Sequence, residues 1–243
     1  MLKPLRPLGL SVKCLNWRMN DADAADADAE FRSRRKTALE RDQHSCQFCG
    51  FRSMHWQEVH HANDDHADNR LENLITTCSF CHMCQHIGLA GSHKEAVLIY
   101  LPQISQADLH HLVRTALIAE RALDVIRSDQ RSAPPLIRQH REAADVAKAV
   151  LAALRSRTEG AEKRILTSDP AEIANVLKML PDDAYARRND TLAGIRLLPL
   201  GKRSKGHEDI MIKQLDSWMA TGGPYALLKP NAWLGVLKAV LAG

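Results

Sequence analysis

From residue 105 onward the apolar positions return every three or four residues. Leu109, Leu112, Val113, Ala116, Leu117, Leu123 and Ile126 fall on one helical face, behind Ser105 as an N-cap. Pro134 and Pro135 end that region, and a second helix is predicted from about 137 to 157. Asp169-Pro170-Ala171-Glu172 sets a capping carboxylate, a first-turn proline and an acid ahead of a short helix reaching about Leu180. Two more helices are predicted, one through Trp218 after the basic loop 200–206, and one from Pro230 to near Ala242. Upstream the periodicity changes. AVLIYL at 96–101 reads as a strand stopped by Pro102, and residues 9–15 alternate as a short strand would. The acidic tract 20–30 reads as a solvated linker or frayed helix start, and FRSRRKTALERDQ at 31–43 reads as a basic helix running into Cys46. The pattern is α+β, with short strands early and helices late, and no internal repeat.

Composition narrows this little. The chain has 243 residues, 45% of them hydrophobic but only 5% aromatic, so its core must come from Leu, Ala, Ile and Val. A net charge of +4 permits contact with nucleic acid or an acidic partner without demanding either. The N-terminus is broken by Lys3, Pro4, Arg6 and Pro7, unlike a signal peptide, and no apolar run is long enough to span a bilayer. The expectation is a cytoplasmic protein, in which clustered thiols stay reduced and point to metal.

The cysteines carry the chemistry. Half of the six lie in TCSFCHMCQH at 77–86, interleaved with His82 and His86. Cys46-Gln-Phe-Cys49 and Cys78-Ser-Phe-Cys81 are two Cys-x-x-Cys pairs separated by 28 residues. Each pair bends into a knuckle that presents two thiolates, and two knuckles complete a tetrahedral set suited to zinc. Four thiolates leave no open position, so this ion is expected to be structural. Cys84 is surplus to the set and reads as a small buried side chain, with an alternate ligand as the other reading; Cys14 reads as a buried strand residue.

Between the pairs, the order His60-His61, Asn73-Leu74 and Cys78-x-x-Cys81-His82 resembles the HNH nuclease pattern, in which zinc knuckles brace a ββα finger. The resemblance implies that His60 and His82 ligate a second divalent cation (Mg²⁺, Mn²⁺, Ni²⁺ or Zn²⁺), that His61 is the general base, and that Asn73 fixes the loop. The catalytic set it implies is His61, Asn73 and His82. The family often has Asp where His60 stands, which favours a softer metal than Mg²⁺. His44, His55, His66 and His86 receive no place, although His66 is the best of them for an extra metal or phosphate contact.

A second resemblance is longer. Arg41-Asp42, SCQFCGF at 45–51, Gln57-Glu-Val59, Asn69-Arg-Leu71, Asn73, Cys78-x-Phe-Cys81-x-x-Cys84 and Leu98-Ile-Tyr-Leu-Pro102 resemble the DotN (IcmJ) family of type IVB secretion and related conjugal transfer systems. It is dense from Arg41 to about Leu112 and thinner at Leu197-Leu-Pro199 and the helix ending in Trp218. It implies a cytoplasmic component of the coupling complex, peripheral at the inner membrane, whose partners are the coupling ATPase and its associated adaptor proteins; the HNH pattern adds DNA. The implied organisation is an N-terminal strand and acidic linker (1–30), an HNH-like ββα zinc-knuckle domain (31–104) and a mainly α-helical domain (105–243).

Overall fold

The computed structural model describes residues 4–12, 24–63, 65, 67–230, 232 and 234–235. Cys14, the expected strand beyond residue 12, residues 20–23 of the acidic tract, His66 and the final helix from residue 236 on lie outside the described residues.

Helix α1 (Ala24–Arg41) takes up the later part of the acidic tract and the whole basic stretch. It packs on a hairpin of β1 (Gln57–His61) and β2 (Leu74–Cys78), where Ala38 and Leu39 meet Val59 and Leu74. The strands pair antiparallel from Gln57↔Cys78 to His61↔Leu74, joined by the loop 62–73. Arg41 and Asp42 fasten this unit: the guanidinium donates to the Leu71 and Leu74 carbonyls at 2.6 and 2.7 Å, and Asp42 accepts from Arg41 and from the Thr76 N–H.

β2 runs without a break into α2 (Ser79–Gln85), followed by α3 (Ile87–Ser92) and β3 (Ala96–Tyr100). α3 lies against α7 (Pro170–Lys178), and a Cβ on Gly91 would meet the Ala171 nitrogen at 2.4 Å, so only glycine permits that approach. The long helices α4 (Gln106–Ser128) and α5 (Pro134–Arg155) pack side by side, and α6 (Thr158–Ile165) packs against β3. Ser105 caps α4 by accepting from the Asp108 N–H, and Asp169 caps α7 by accepting from Ala171 N–H, as the sequence predicts. Pro134 and Pro135 open α5 rather than merely ending what precedes it, because a first-turn proline gives up an N–H that has no helical partner.

The short helices α8 (Asp182–Ala186) and α9 (Arg188–Thr191) lead to β4 (Ile195–Pro199), which pairs antiparallel with β3. A small hairpin, β5 (Ser204–Lys205) and β6 (Glu208–Asp209), precedes α10 (Met211–Met219). The architecture is thus α+β, with helices around small antiparallel sheets. Residues 9–12 form no strand: Ser11 instead donates to the Cys84 carbonyl and accepts from Ile87 N–H, with no strand beside it. One hydrophobic core contains residues on both sides of position 104, from Phe48 and Phe80 to Leu109, Val113, Leu197 and Trp218. Fully burying a side chain such as Leu109 contributes about 1.5–3 kcal/mol.

Candidate metal centres

The first cysteine pair occupies the turn between α1 and β1. Cys46 N–H donates to the Phe51 carbonyl at 2.9 Å and Gly50 N–H to the Cys46 carbonyl at 2.8 Å. Gly50 completes the turn at φ 74°, a conformation that a side chain would strain. In the second pair Cys78 ends β2 and caps α2, and Cys81 lies in the first turn of that helix. Gln57, paired opposite Cys78, donates its side-chain amide to the His44 and Phe51 carbonyls, both at 2.8 Å, and so ties the hairpin end to the first turn.

The four sulfurs of Cys46, Cys49, Cys78 and Cys81 all lie within 4.8 Å of one another, and all four residues are buried. Sulfurs about 2.3 Å from a tetrahedral zinc stand about 3.8 Å apart, and Cys49 and Cys78 are separated by 3.8 Å. Burial and the neighbouring Cys46 and Cys49 push the Cys78 thiol well above its ordinary value, while hydrogen bonds from the other three hold Cys49 well below it. Four crowded, dry thiols cannot all ionise without a compensating cation, and the donor set fits zinc.

Side chains of α4 surround this group. Gln106 is oriented by the Leu197 backbone, which donates to its carbonyl oxygen and accepts from its amide, so its NH₂ faces His110 Nε2 at 2.8 Å. The His110 proton therefore resides on Nδ1, 3.3 Å from Cys81 Sγ, and burial lowers the ring's pKa to about 3. Cys84 is fully buried outside the four-sulfur group, 3.8 Å from His110 Nε2, and burial pushes its thiol up. His111 Nε2 donates to the Cys49 carbonyl at 2.7 Å.

A second group takes the residue next to Cys81. His60, His82 and His86 offer ring nitrogens within 4.8 Å of one another, with His82 Nε2 and His86 Nε2 3.1 Å apart. The other nitrogen of His82, Nδ1, is bonded to Glu58. Glu58 also accepts from Arg203 at 2.9 and 3.0 Å, and Arg203 donates to the fully buried Glu95 at 3.0 Å. Burial opposes the Glu58 charge, but His82 and Arg203 hold its pKa down to about 2. A histidine anchored at Nδ1 by a carboxylate directs Nε2 at a ligand, and this arrangement fits a divalent cation.

Strand alternation separates the adjacent histidines of β1. Glu58 and His60 share the face toward α2, whereas His61 lies 3.1 Å from Asn69 Oδ1 and stacks on Phe31 of α1 with ring centroids 5.2 Å apart. The geometry thus brings together His60 and His82 but leaves His61 outside the histidine group. Asn73 holds the loop 62–73, accepting from Asn63 N–H at 3.0 Å and donating to the Asp68 carbonyl at 2.8 Å. Sequence reasoning missed His86, for which the i, i+4 spacing from His82 was the available signal. It also missed Glu58, Glu95 and Arg203, whose association spans 145 residues.

No helix among the described residues is long and apolar enough to cross a membrane. No protein-family model matches the chain. The chain is similar to the type 4 apparatus protein DotN of Legionella pneumophila subsp. pneumophila (strain Philadelphia 1), at 29% identity over 212 residues, which cover 85% of this chain and 86% of that protein.

Proposed function

We propose, from its similarity to DotN over most of both chains, that the chain is a DotN-family protein and a zinc-braced component of a type IVB secretion or conjugal transfer apparatus, docking the coupling ATPase and its adaptor proteins. It works on the cytoplasmic side and reaches the inner membrane only through these partners. The observation that carries this reading is the extent of the match, which covers most of both chains and is not confined to the cysteines. Zinc held by Cys46, Cys49, Cys78 and Cys81 supplies folding energy there and no chemistry, since the set has no open position. A hairpin that ends in Cys78, followed by a helix that carries Cys81, supports the HNH-like ββα reading of residues 31–104, with 105–243 as the helical domain. The test is affinity purification of the full-length chain from its native cell, with the coupling ATPase as the protein sought. Stoichiometric recovery supports docking, and a zinc-loaded chain that recovers none overturns it.

A second reading, a metal-dependent endonuclease acting on DNA, is favoured by the convergence of His60, His82 and His86 with Glu58 behind His82. A divalent cation there would polarise a phosphodiester, His61 would take the proton from water, and Asn73 would hold the loop. His61 meets that role only if its ring leaves Asn69 and Phe31. Plasmid nicking with Mn²⁺, Mg²⁺, Ni²⁺ or Zn²⁺ decides it. Activity abolished by His61→Ala supports catalysis, and equal behaviour of the two proteins removes it.

A further inference from the structure

Arg114 is the most unusual charge in the molecule. It lies in the middle of α4 and is fully buried. Its guanidinium carbon stands 3.8 Å from the Phe51 ring centroid, 5.1 Å from that of Phe80 and 5.6 Å from that of Trp218. Among the described residues no carboxylate lies within ion-pair distance of it. Its Nε has no hydrogen-bond partner, and Nη1 reaches only the Nδ1 of His111 at 3.4 Å. A guanidinium remains charged in any protein, and burying it without an anion is strongly unfavourable. What faces it instead is sulfur: Nη2 donates to Cys78 Sγ at 3.3 Å.

Resting on the reading of the four cysteines as a zinc centre, we infer that Arg114 is the counter-charge of that centre. A zinc ion with four thiolates carries two net negative charges, and a dry pocket cannot hold them unless positive charge or N–H donors face the sulfurs. The aromatic rings of Phe51, Phe80 and Trp218 exclude water around the guanidinium and attract its charge through their faces. Each member then requires the other. Without the thiolates Arg114 is an unpaired buried cation; without Arg114 the Cys78 thiolate loses its charge-assisted donor. Because Arg114 belongs to α4 and Trp218 to α10, the same contact fastens the helical region to the cysteine turns.

The experiment uses the full-length protein, zinc-loaded and cobalt-substituted, as wild type, Arg114→Met and Arg114→Lys. Methionine keeps the length and removes the charge and donors, whereas lysine keeps the charge but not the forked geometry. Zinc release to a chromophoric chelator is expected to be at least roughly tenfold faster in Arg114→Met. The thiolate-to-cobalt charge-transfer band is expected to move to lower energy, because a sulfur without its hydrogen-bond donor gives up an electron more readily; packing alone would not move it. Arg114→Lys is expected to fall between the two. If Arg114→Met does not fold, Arg114→Gln, which also removes the charge, carries the test, and a wild-type band position and release rate in that variant overturn the inference. A zinc-loaded wild type whose release and band are unchanged in a folded Arg114→Met overturns the inference alone. A wild type that binds no metal at the cysteines overturns the zinc reading and the inference with it.

Discussion

The two candidate metal centres take consecutive residues of one helix, Cys81 and His82, yet they are enclosed in different ways. The four cysteines are buried, they come from two turns brought together by a strand pair, and aromatic rings cover the polar groups around them. Of the three histidines His60 is buried but His82 and His86 are only partly so, and a chain of charges, Glu58, Arg203 and Glu95, extends from them to the loop before α10. A site sealed on every side can contribute to folding but cannot receive a substrate. A partly open site beside fixed charges can receive a ligand and contributes less to folding. Adjacent residues can therefore serve opposite purposes, because a helix turns successive side chains by about 100°.

The largest expected effect tests the first half of this contrast. Cys78→Ser removes a thiolate at the centre of the buried group, and the binding energy of such a centre is folding energy, about 10 kcal/mol or more in small zinc domains. The expected outcome is loss of zinc by metal analysis together with loss of cooperative unfolding by circular dichroism. A Cys78→Ser protein that keeps a wild-type melting curve would show that the metal braces nothing.

The charge chain of the second centre comes next. Arg203 is the only described side chain that bridges Glu58 and Glu95, and Glu95 has no exposure. Arg203→Met leaves the buried Glu95 carboxylate only the half-exposed His93 ring at 3.5 Å and the Ser204 N–H, an effect of up to roughly 3 to 5 kcal/mol. Urea titration is expected to show that loss, and Glu95→Gln in the same chain is expected to recover part of it. Additive losses in the double variant would show that the two residues do not act as a pair.

How much of this was legible beforehand follows from the range of the interactions. Ser105, Asp169-Pro170 and the run AVLIYL declare their elements within a few residues, and the cysteine pairs declare their grouping through fixed spacing. The pairing of β3 with β4 joins segments about a hundred residues apart, and nothing local in Ile195–Pro199 names its partner. α3 is short and glycine-containing, so its place depends on α7 and not on propensity. The adjacency of His60 and His61 suggested one shared site, but the pleat of β1 sends them to opposite faces. Arg41-Asp42, read as the end of a basic helix and as part of a family resemblance, proves to fasten α1 to β2.

That fastening predicts a moderate effect of pH away from both centres. Burial opposes the Asp42 charge, but hydrogen bonds from Arg41 and Thr76 outweigh it and hold the carboxyl below its ordinary value of 3.8. A depressed carboxyl contributes stability that is present above the unfolded value and is lost as pH falls through the folded one. In wild type, acid unfolding below about pH 4 is therefore expected to include a contribution that Asp42→Asn lacks. The check is the slope of stability against pH below 4, shallower in the variant; equal slopes would assign the acid sensitivity elsewhere.

The smallest effect on stability sharpens the contrast most. His86 is partly exposed at the end of α2, where its ring lies against those of His60 and His82. His86→Ala is therefore expected to cost no more than about 1 kcal/mol in urea titration, the central tendency for single substitutions. Metal binding should respond quite differently. Equilibrium dialysis against Zn²⁺ or Mn²⁺ is expected to find one fewer ion per chain than in wild type, with the tightly held zinc of the cysteines unchanged. The two losses are then separable, folding with the cysteines and binding with the histidines. A His86→Ala protein that unfolds as Cys78→Ser does would place the histidines in the brace as well, and the second centre would lose its claim to a ligand.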